Sequence, residues 1–540
     1  MRIYTLRNGG HSTLKNTSSI PLFYKAIEGA KYLFLAFLAM LFLVEFSLSL
    51  RWQLQHDSAF LSYVAYLINE HGFVLYRDIF EANMPGIYLL YMAIGKIFGY
   101  QSDFAFRMID VAWLTVTFIV TWFIMKPFGQ LVAFASCLIF GIIYLEAGPI
   151  INFQRDVIAI LPVAIALLLV TRSKPNQSVN LIHFLLGVFF ALAALIKPHM
   201  AIGLPAMILY ICIRGTKEPK SVKTFIKPFI IGSIFALVGF LSILVIPFLW
   251  LWQIGALEAF WEIFSSYVPL YAQISGDLQV RETFEHIAFT LWRYIDFGGF
   301  GFLLMASLFG VYFVLTGSIS AAIKKQAILL FSLIVLYSLS AALSGKLWVY
   351  HWMPYIYLAS LCTAMLLFSP PSFRGLRRLL ITPLFVFIVA VMMTVRSPQI
   401  AFQQLFSEQQ PAPLMDGRVD EIAAYLNVHL SPTDKVQPLD WITGAAYGML
   451  ISKAVIATPY IIDFPFYHHV SNDYIKHLRR DFIEKLKKAM PTVIIEVHAK
   501  HRISGLDVTY EFPELKEFIK QHYKKDYTGN DFDIFRQNDD

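Results

Sequence analysis

Residues 31–50 read KYLFLAFLAMLFLVEFSLSL, and after Lys31 the only charged side chain among them is Glu45. At about 1.5 Å per residue, a helix of roughly 20 residues crosses the hydrocarbon core of a bilayer, about 30 Å thick. A helix packed on a water-soluble core would be apolar along one stripe, but this one is apolar all round. The tail ahead of it is too long for a signal peptide, and no small-residue cleavage site follows. The segment therefore reads as a retained first membrane helix.

The same test finds further spans at 109–125, 131–147, 157–170, 181–195, 201–213, 228–250, 300–315, 327–343, 352–368 and 379–395. Composition agrees. The 540 residues are 57% apolar and 15% charged, with a mean hydropathy of +0.58. A soluble chain has about 45–50% apolar and about 25% charged residues. Cys137, Cys212 and Cys362 all lie in apolar segments, which leaves no disulfide framework or zinc site.

The net charge of +7 resides largely in short loops between spans. Such loops orient a membrane protein, and nothing in them calls for nucleic acid. The basic sets are Arg2, Arg7, Lys15 and Lys25; Arg172 and Lys174; Arg214, Lys217, Lys220, Lys223 and Lys227; Lys324 and Lys325; and Arg374, Arg377 and Arg378. All fall inside the cell if the short apolar stretch 85–98 is re-entrant or interfacial. The reading is then a polytopic α-helical membrane protein with about eleven spans, or twelve to thirteen if short stretches also cross. Residues 1–30 form a cytoplasmic tail, 31–396 the membrane domain with outer loops 51–84 and 251–299, and 397–540 an outer domain.

In that last part charges return and apolar runs shorten. Strands are expected at 436–440, 454–457, 492–497 and 531–536, and helices at 472–489 and 513–523. This alternation is that of a soluble α/β domain.

The outer loops hold the chemistry. The first reads His56-Asp57-Ser58, an apolar-periodic helix to Asn69, Glu70-His71-Gly72, then Tyr76-Arg77-Asp78-Ile79-Phe80-Glu81-Ala82-Asn83-Met84-Pro85-Gly86. Asp57 opens an interfacial helix, where an Asp also serves as an ordinary N-cap. Later come Phe104-Ala105-Phe106-Arg107-Met108, Asn152-Phe153-Gln154-Arg155-Asp156, Leu195-Ile196-Lys197-Pro198 and Tyr350-His351-Trp352-Met353-Pro354. In this order these segments resemble the GT-C glycosyltransferases, among them protein O-mannosyltransferases and lipid A aminoarabinose transferases. The family's Asp-Glu pair stands here as Asp57-Ser58, without the second acid, and its basic-Pro-Pro-Leu segment as Asn83-Met84-Pro85-Gly86.

The resemblance implies that a sugar moves from a polyprenyl-phosphate donor to a glycan, lipid or protein acceptor on the outer face of a bacterial plasma membrane. Asp57 is the candidate base. Arg155, Lys197, Lys346 and His351 are candidates for the departing phosphate, with Arg281 and Arg293 from the loop expected to cover the donor. Glu81 and Asp156 are candidates for orienting the acceptor or binding a divalent metal, although no diagnostic ligand spacing is present. Blander roles compete. Lys197 and Lys346 fit snorkelling helix-end anchors, and His351 and the loop aromatics fit an interfacial belt. His468-His469 near Asp463 lacks a third spaced metal ligand.

Two other classes fit parts of the pattern. A transporter or flippase of lipid-linked sugars would explain the helices, but would carry ionisable residues near the midplane, whereas the acids here concentrate in outer loops. A polysaccharide polymerase or ligase would need more arginines in a large outer loop than Arg281 and Arg293.

Overall fold

The computed structural model describes residues 19–173, 179–214, 222–368, 381–395, 403, 417–441, 444–498 and 502–538. Much of the tail 1–30, the boundary near 396, and the basic residues Lys174, Lys217, Lys220, Arg374, Arg377 and Arg378 lie outside them.

Hydrocarbon offers backbone groups no partner, so apolar segments become helices. In chain order these are α1 (Ser19–Ser49), α2 (Asp57–His71), α3 (Pro85–Phe98), α4 (Asp103–Met125), α5 (Gln130–Glu146), α6 (Arg155–Ile158), α7 (Ile160–Arg172), α8 (Val179–Ile196), α9 (Leu204–Arg214) and α10 (Val222–Gln253). Then come α11 (Leu257–Glu262), α12 (Val268–Ala272), α13 (Thr283–Ile295), α14 (Gly301–Thr316), α15 (Ala321–Leu343), α16 (Met353–Ala364) and α17 (Ile381–Thr394).

Every expected span is helical, in whole or in pieces, among the described residues, but the lengths differ. Among the described residues five helices are long and apolar enough to cross alone: Ala26–Ser49, Asp103–Phe128, Val179–Ile196, Ile226–Gln253 and Ala321–Leu343. The pair α13 and α14 passes the same test only together, bent by 69°. The segment 157–170 is not one helix. It breaks at Ala159, because Pro162 supplies no N–H and its ring crowds the carbonyl one turn back. Helix α1 starts at Ser19, earlier than residue 31, and Lys31 bonds Glu28 at 2.8 Å within the extension. Leu33, Leu43, Ile234, Leu237, Ile246, Phe302 and Phe309 point outward from these helices, a surface suited to lipid. Helices α8 and α10 touch backbone to backbone. A Cβ on Gly187 would collide with the Ala236 carbonyl, and one on Gly239 with that of Phe184.

The helices give the bundle two unlike ends. At one, Arg172 Nε donates to the Phe123 carbonyl (3.1 Å), Arg214 Nη1 to Ser173 Oγ (2.8 Å) and Lys325 Nζ to the Ile213 carbonyl (2.9 Å). At the other lie the starts of α2, α4 and α6 and the end of α8.

The C-terminal region adds α18 (Arg418–His429), α19 (Gly444–Ser452), α20 (Asp473–Ala489) and α21 (Pro513–His522). Its strands are β2 (Lys435–Leu439), β3 (Val455–Ile456), β4 (Val493–Val497), β6 (Tyr523–Gly529) and β7 (Phe532–Gln537), in the order β3-β2-β4-β7-β6. β3, β2 and β4 are mutually parallel, while β7 and β6 are antiparallel additions. Tyr523 opens β6 and does not close the preceding helix.

This region docks on the end opposite the basic contacts. Tyr63 Oη donates to the Ala454 carbonyl (2.9 Å), Tyr447 Oη to Asp103 Oδ1 (2.9 Å) and Phe80 N to the Pro459 carbonyl (2.8 Å). The loop 251–299 joins in through β1 (Gln279–Val280), which pairs in parallel with β5 (Ser504–Gly505).

Candidate active site

Asp57 is the first residue of α2, and the helix cap is His56. His56 has φ 49°, a conformation that L side chains rarely adopt. Among the described residues the Asp57 carboxylate meets side chains only and caps no backbone donor. Arg155 Nη2 meets its Oδ2 at 2.7 Å, Gln154 Nε2 the same atom at 3.3 Å, and His56 Nδ1 its Oδ1 at 2.8 Å. Burial opposes the charge, but Arg155 and His56 outweigh it and hold the Asp57 carboxyl well below the usual carboxylate range.

The next residue carries a second pair. Asp156 is fully buried, and Lys197, just past the end of α8, reaches its Oδ1 at 2.6 Å. Burial disfavours both charges, raising the Asp156 pKa and pushing Lys197 down to about 8. Both acids act on Arg155 electrostatically, which makes the two pairs one cluster.

His351 stacks on Trp348 (5.6 Å between ring centroids) and shares a 2.9 Å hydrogen bond with Ser344 Oγ through Nδ1. Burial, then Lys197, holds its pKa well below the ordinary value, so the ring is neutral. Glu81 is buried, and its Oε1 accepts from Ala82 N (2.7 Å), Asn83 N (3.1 Å) and Asn83 Nδ2 (2.7 Å). Burial raises its pKa despite these donors and Tyr88.

The structure thus brings Asp57, Glu81, Arg155, Asp156, Lys197 and His351 to one end of the bundle. Three other candidates lie apart from these contacts. Lys346 Nζ donates to the carbonyls of Tyr271 (2.8 Å) and Ile274. Arg281 pairs with Asp277 and stacks on Phe289 at 4.2 Å. Arg293 is exposed on α13. Tyr271, an aromatic of the loop 251–299, and Tyr350, from the Tyr350-His351-Trp352-Met353-Pro354 segment, lie beside the cluster. Lys197 Nζ lies 5.9 Å from the Tyr350 ring, and Tyr271 feels Arg155, Asp57 and Glu81.

Among the described residues no three His, Cys, Asp or Glu side chains gather as metal ligands. Glu81 and Asp156 direct their oxygens at protein donors, a poor fit to the metal-binding alternative. His468 and His469 bond each other through Nδ1 at 2.8 Å, and His469 Nε2 meets Gln273 Oε1 at 3.2 Å, tying the loop 251–299 to the C-terminal region.

Residues 82–246 match the dolichyl-phosphate-mannose-protein mannosyltransferase family. No curated protein matches the sequence. The fold is similar to ArnT from Cupriavidus metallidurans bound to undecaprenyl phosphate: TM-score 0.54 at 12% identity, covering 93% of this chain and 97% of that one. The apo form of ArnT gives 0.55 at 14%, covering 94% and 98%. The oligosaccharyltransferase AglB from Archaeoglobus fulgidus gives 0.46 at 10%, covering 87% and 70%. The chain thus carries a segment at 82–246 that matches the dolichyl-phosphate-mannose-protein mannosyltransferase family, on a multi-helix membrane fold similar to that of ArnT over nearly its whole length.

Proposed function

We propose that this protein moves a monosaccharide from a polyprenyl-phosphate carrier to a glycan, lipid or protein acceptor at the outer face of a bacterial plasma membrane. The observation that carries this reading is the joined pair of ion pairs, Asp57–Arg155 and Asp156–Lys197, at the ends of apolar helices. Both acids and both bases come from loops that the positive-inside rule puts outside, and the basic contacts of Arg172, Arg214 and Lys325 lie at the other end. On this reading residues 1–30 are cytoplasmic, 31–396 hold the catalytic part and 397–540 cover it from outside. A similar fold in a protein that binds undecaprenyl phosphate gives the donor class its support.

The chemistry is an inverting displacement. The acceptor hydroxyl oxygen attacks the anomeric carbon and its proton passes to Asp57. The bond from that carbon to the phosphate oxygen breaks, and the electron pair stays on the carrier phosphate. Arg155 and Lys197 balance the charge that develops there. Arg155 links the two events: a phosphate that draws the guanidinium relieves Asp57 of the partner that suppresses its basicity. Asp156 keeps Lys197 in place, and Glu81 orients the acceptor.

The test is transfer by the purified protein in lipid, using radiolabelled polyprenyl-phosphate sugars and membrane glycan extracts. Label should reach an acceptor with the wild type and not with Asp57→Asn. If no donor yields transfer and no carrier binds, the reading fails and the flippase or transporter alternative replaces it.

A further inference from the structure

Lys346 lies at the outer end of the bundle, is almost fully buried, and in the described contacts touches none of Asp57, Arg155, Asp156 and Lys197 directly. Its ammonium donates to the carbonyls of Tyr271 and Ile274, at and just beyond the end of α12, where the Tyr271 carbonyl also accepts from Ile274 N (3.2 Å). It also lies 4.0 Å from the centroid of the Tyr271 ring, at cation–π distance. Two further contacts fix the same turn. Trp348 Nε1 donates to the Gly276 carbonyl at 2.8 Å, and a Cβ on Gly276 would run into the Lys346 carbonyl, so the two backbones are in contact. On its other side the turn continues into β1 and pairs with β5. The lysine itself is presented by a strained turn: Gly345 has φ 68° and Leu347, without glycine's freedom, φ 53°.

What this fastening holds is Tyr271. Part of the side chain remains accessible, and it lies within electrostatic reach of Arg155, Asp57 and Glu81. We propose that Lys346 is a positioning residue: it clamps the 271–281 segment so that Tyr271 faces the Asp57–Arg155 pair, and it does not itself hold the donor phosphate. The functional half of this inference rests on the glycosyltransfer reading, while the clamp itself does not.

The two halves are separable by experiment. Hydrogen–deuterium exchange on the full chain in lipid nanodiscs reads the clamp without any substrate. Lys346→Met should speed exchange of the 271–281 amides at least tenfold, with Lys346→Arg falling between it and the wild type. Trp348→Phe, which removes one bond from the same turn, should give a smaller acceleration there and serves if Lys346→Met does not fold. Unchanged exchange at 271–281 in the folded variants overturns the clamp whatever the activity. The transfer assay then reads the positioning role through Lys346→Met, Tyr271→Phe and the double variant. A combined loss well below the product of the two single losses supports action through Tyr271. Losses that multiply overturn it. Absence of transfer by the wild type would count against the proposed function, with the exchange data still deciding the clamp.

Discussion

Two acid–arginine clusters lie near each other at the end of the helices that meets the C-terminal region and differ in how far the protein encloses them. Arg107 and Asp110 are both buried on α4 and pair with each other. Asp110 Oδ1 also accepts from Tyr144 Oη (2.6 Å) and Phe153 N (3.1 Å), Arg107 Nη2 donates to Ser49 Oγ (2.6 Å), and the guanidinium stacks on Trp52 at 4.4 Å. Asp57 and Arg155 keep 20% and 17% of their side chains exposed. A pair enclosed on all sides by protein locks helices together. A pair with open access can exchange a partner for a substrate. On the proposed function, that difference separates a structural cluster from one that takes part in the chemistry.

The largest effect expected from that contrast is catalytic. Asp57→Asn should lower the transfer rate by about 10²–10⁴, the usual contribution of a positioned base. Its melting temperature near neutral pH, where Asp57 is ionised, should fall by less than that of Arg107→Met. A folded Asp57→Asn protein with full activity would break the assignment.

Arg107→Met should do the reverse. Removing one member of a buried pair leaves the other charge uncompensated, at a cost of about 3–5 kcal/mol. Thermal unfolding should therefore drop sharply, while the protein that remains folded keeps its rate per molecule within a few-fold. A severe loss of rate with normal stability would move Arg107 into the chemistry.

A smaller effect separates charge from shape. Arg155→Lys keeps the cation but loses the planar fork that can hold Asp57 and a phosphate oxygen together. Transfer should fall by about tenfold to a hundredfold, less than for Arg155→Met, which removes a charge-stabilising group outright. Equal losses would mean that the guanidinium geometry is irrelevant and only the charge counts.

The sequence carried the helices well, because lipid demands segments apolar all round and 31–50 or 228–250 cannot be read otherwise. It carried the break at Ala159 poorly. Pro162 was visible, but its consequence depends on which carbonyl lies one turn back. The strand Tyr523–Gly529 was missed because its YKKDYTG is largely exposed, as suits a sheet edge, and resembles the charged end of the preceding helix. At the site, residue types and loop positions pointed to Asp57, Arg155, Asp156 and Lys197 individually. Their pairing was not legible: Asp57 and Arg155 are 98 residues apart, and nothing local shows which acid meets which base. Lys346 was placed with the phosphate ligands on charge and sidedness alone, and only the fold shows the two carbonyls it bonds.

The smallest effect concerns the second loop acid, whose environment is the opposite of Asp57's. Glu81 is pushed up from its ordinary value near 4.5 by burial, whereas Asp57 is held down by Arg155 and His56 against its burial. Just above pH 4.5 the folded protein still holds the Glu81 proton that the unfolded chain has released. The unfolded state binds fewer protons, so the Glu81 contribution to stability falls as pH rises through that window. The Asp57 contribution has the other sign: it is present above the ordinary carboxylate value and is lost as pH falls toward the depressed one. Glu81→Gln keeps an oxygen for the Ala82 and Asn83 donors and has no proton to lose, so it should flatten the decline above pH 4.5 in thermal melts of the full chain between pH 4 and 8. Asp57→Asn should leave that decline intact and remove stability only where Asp57 is ionised. If both variants change the same limb of the curve, the two carboxylates titrate as one unit, and the division between a carboxyl held down by its partners and one pushed up by burial collapses.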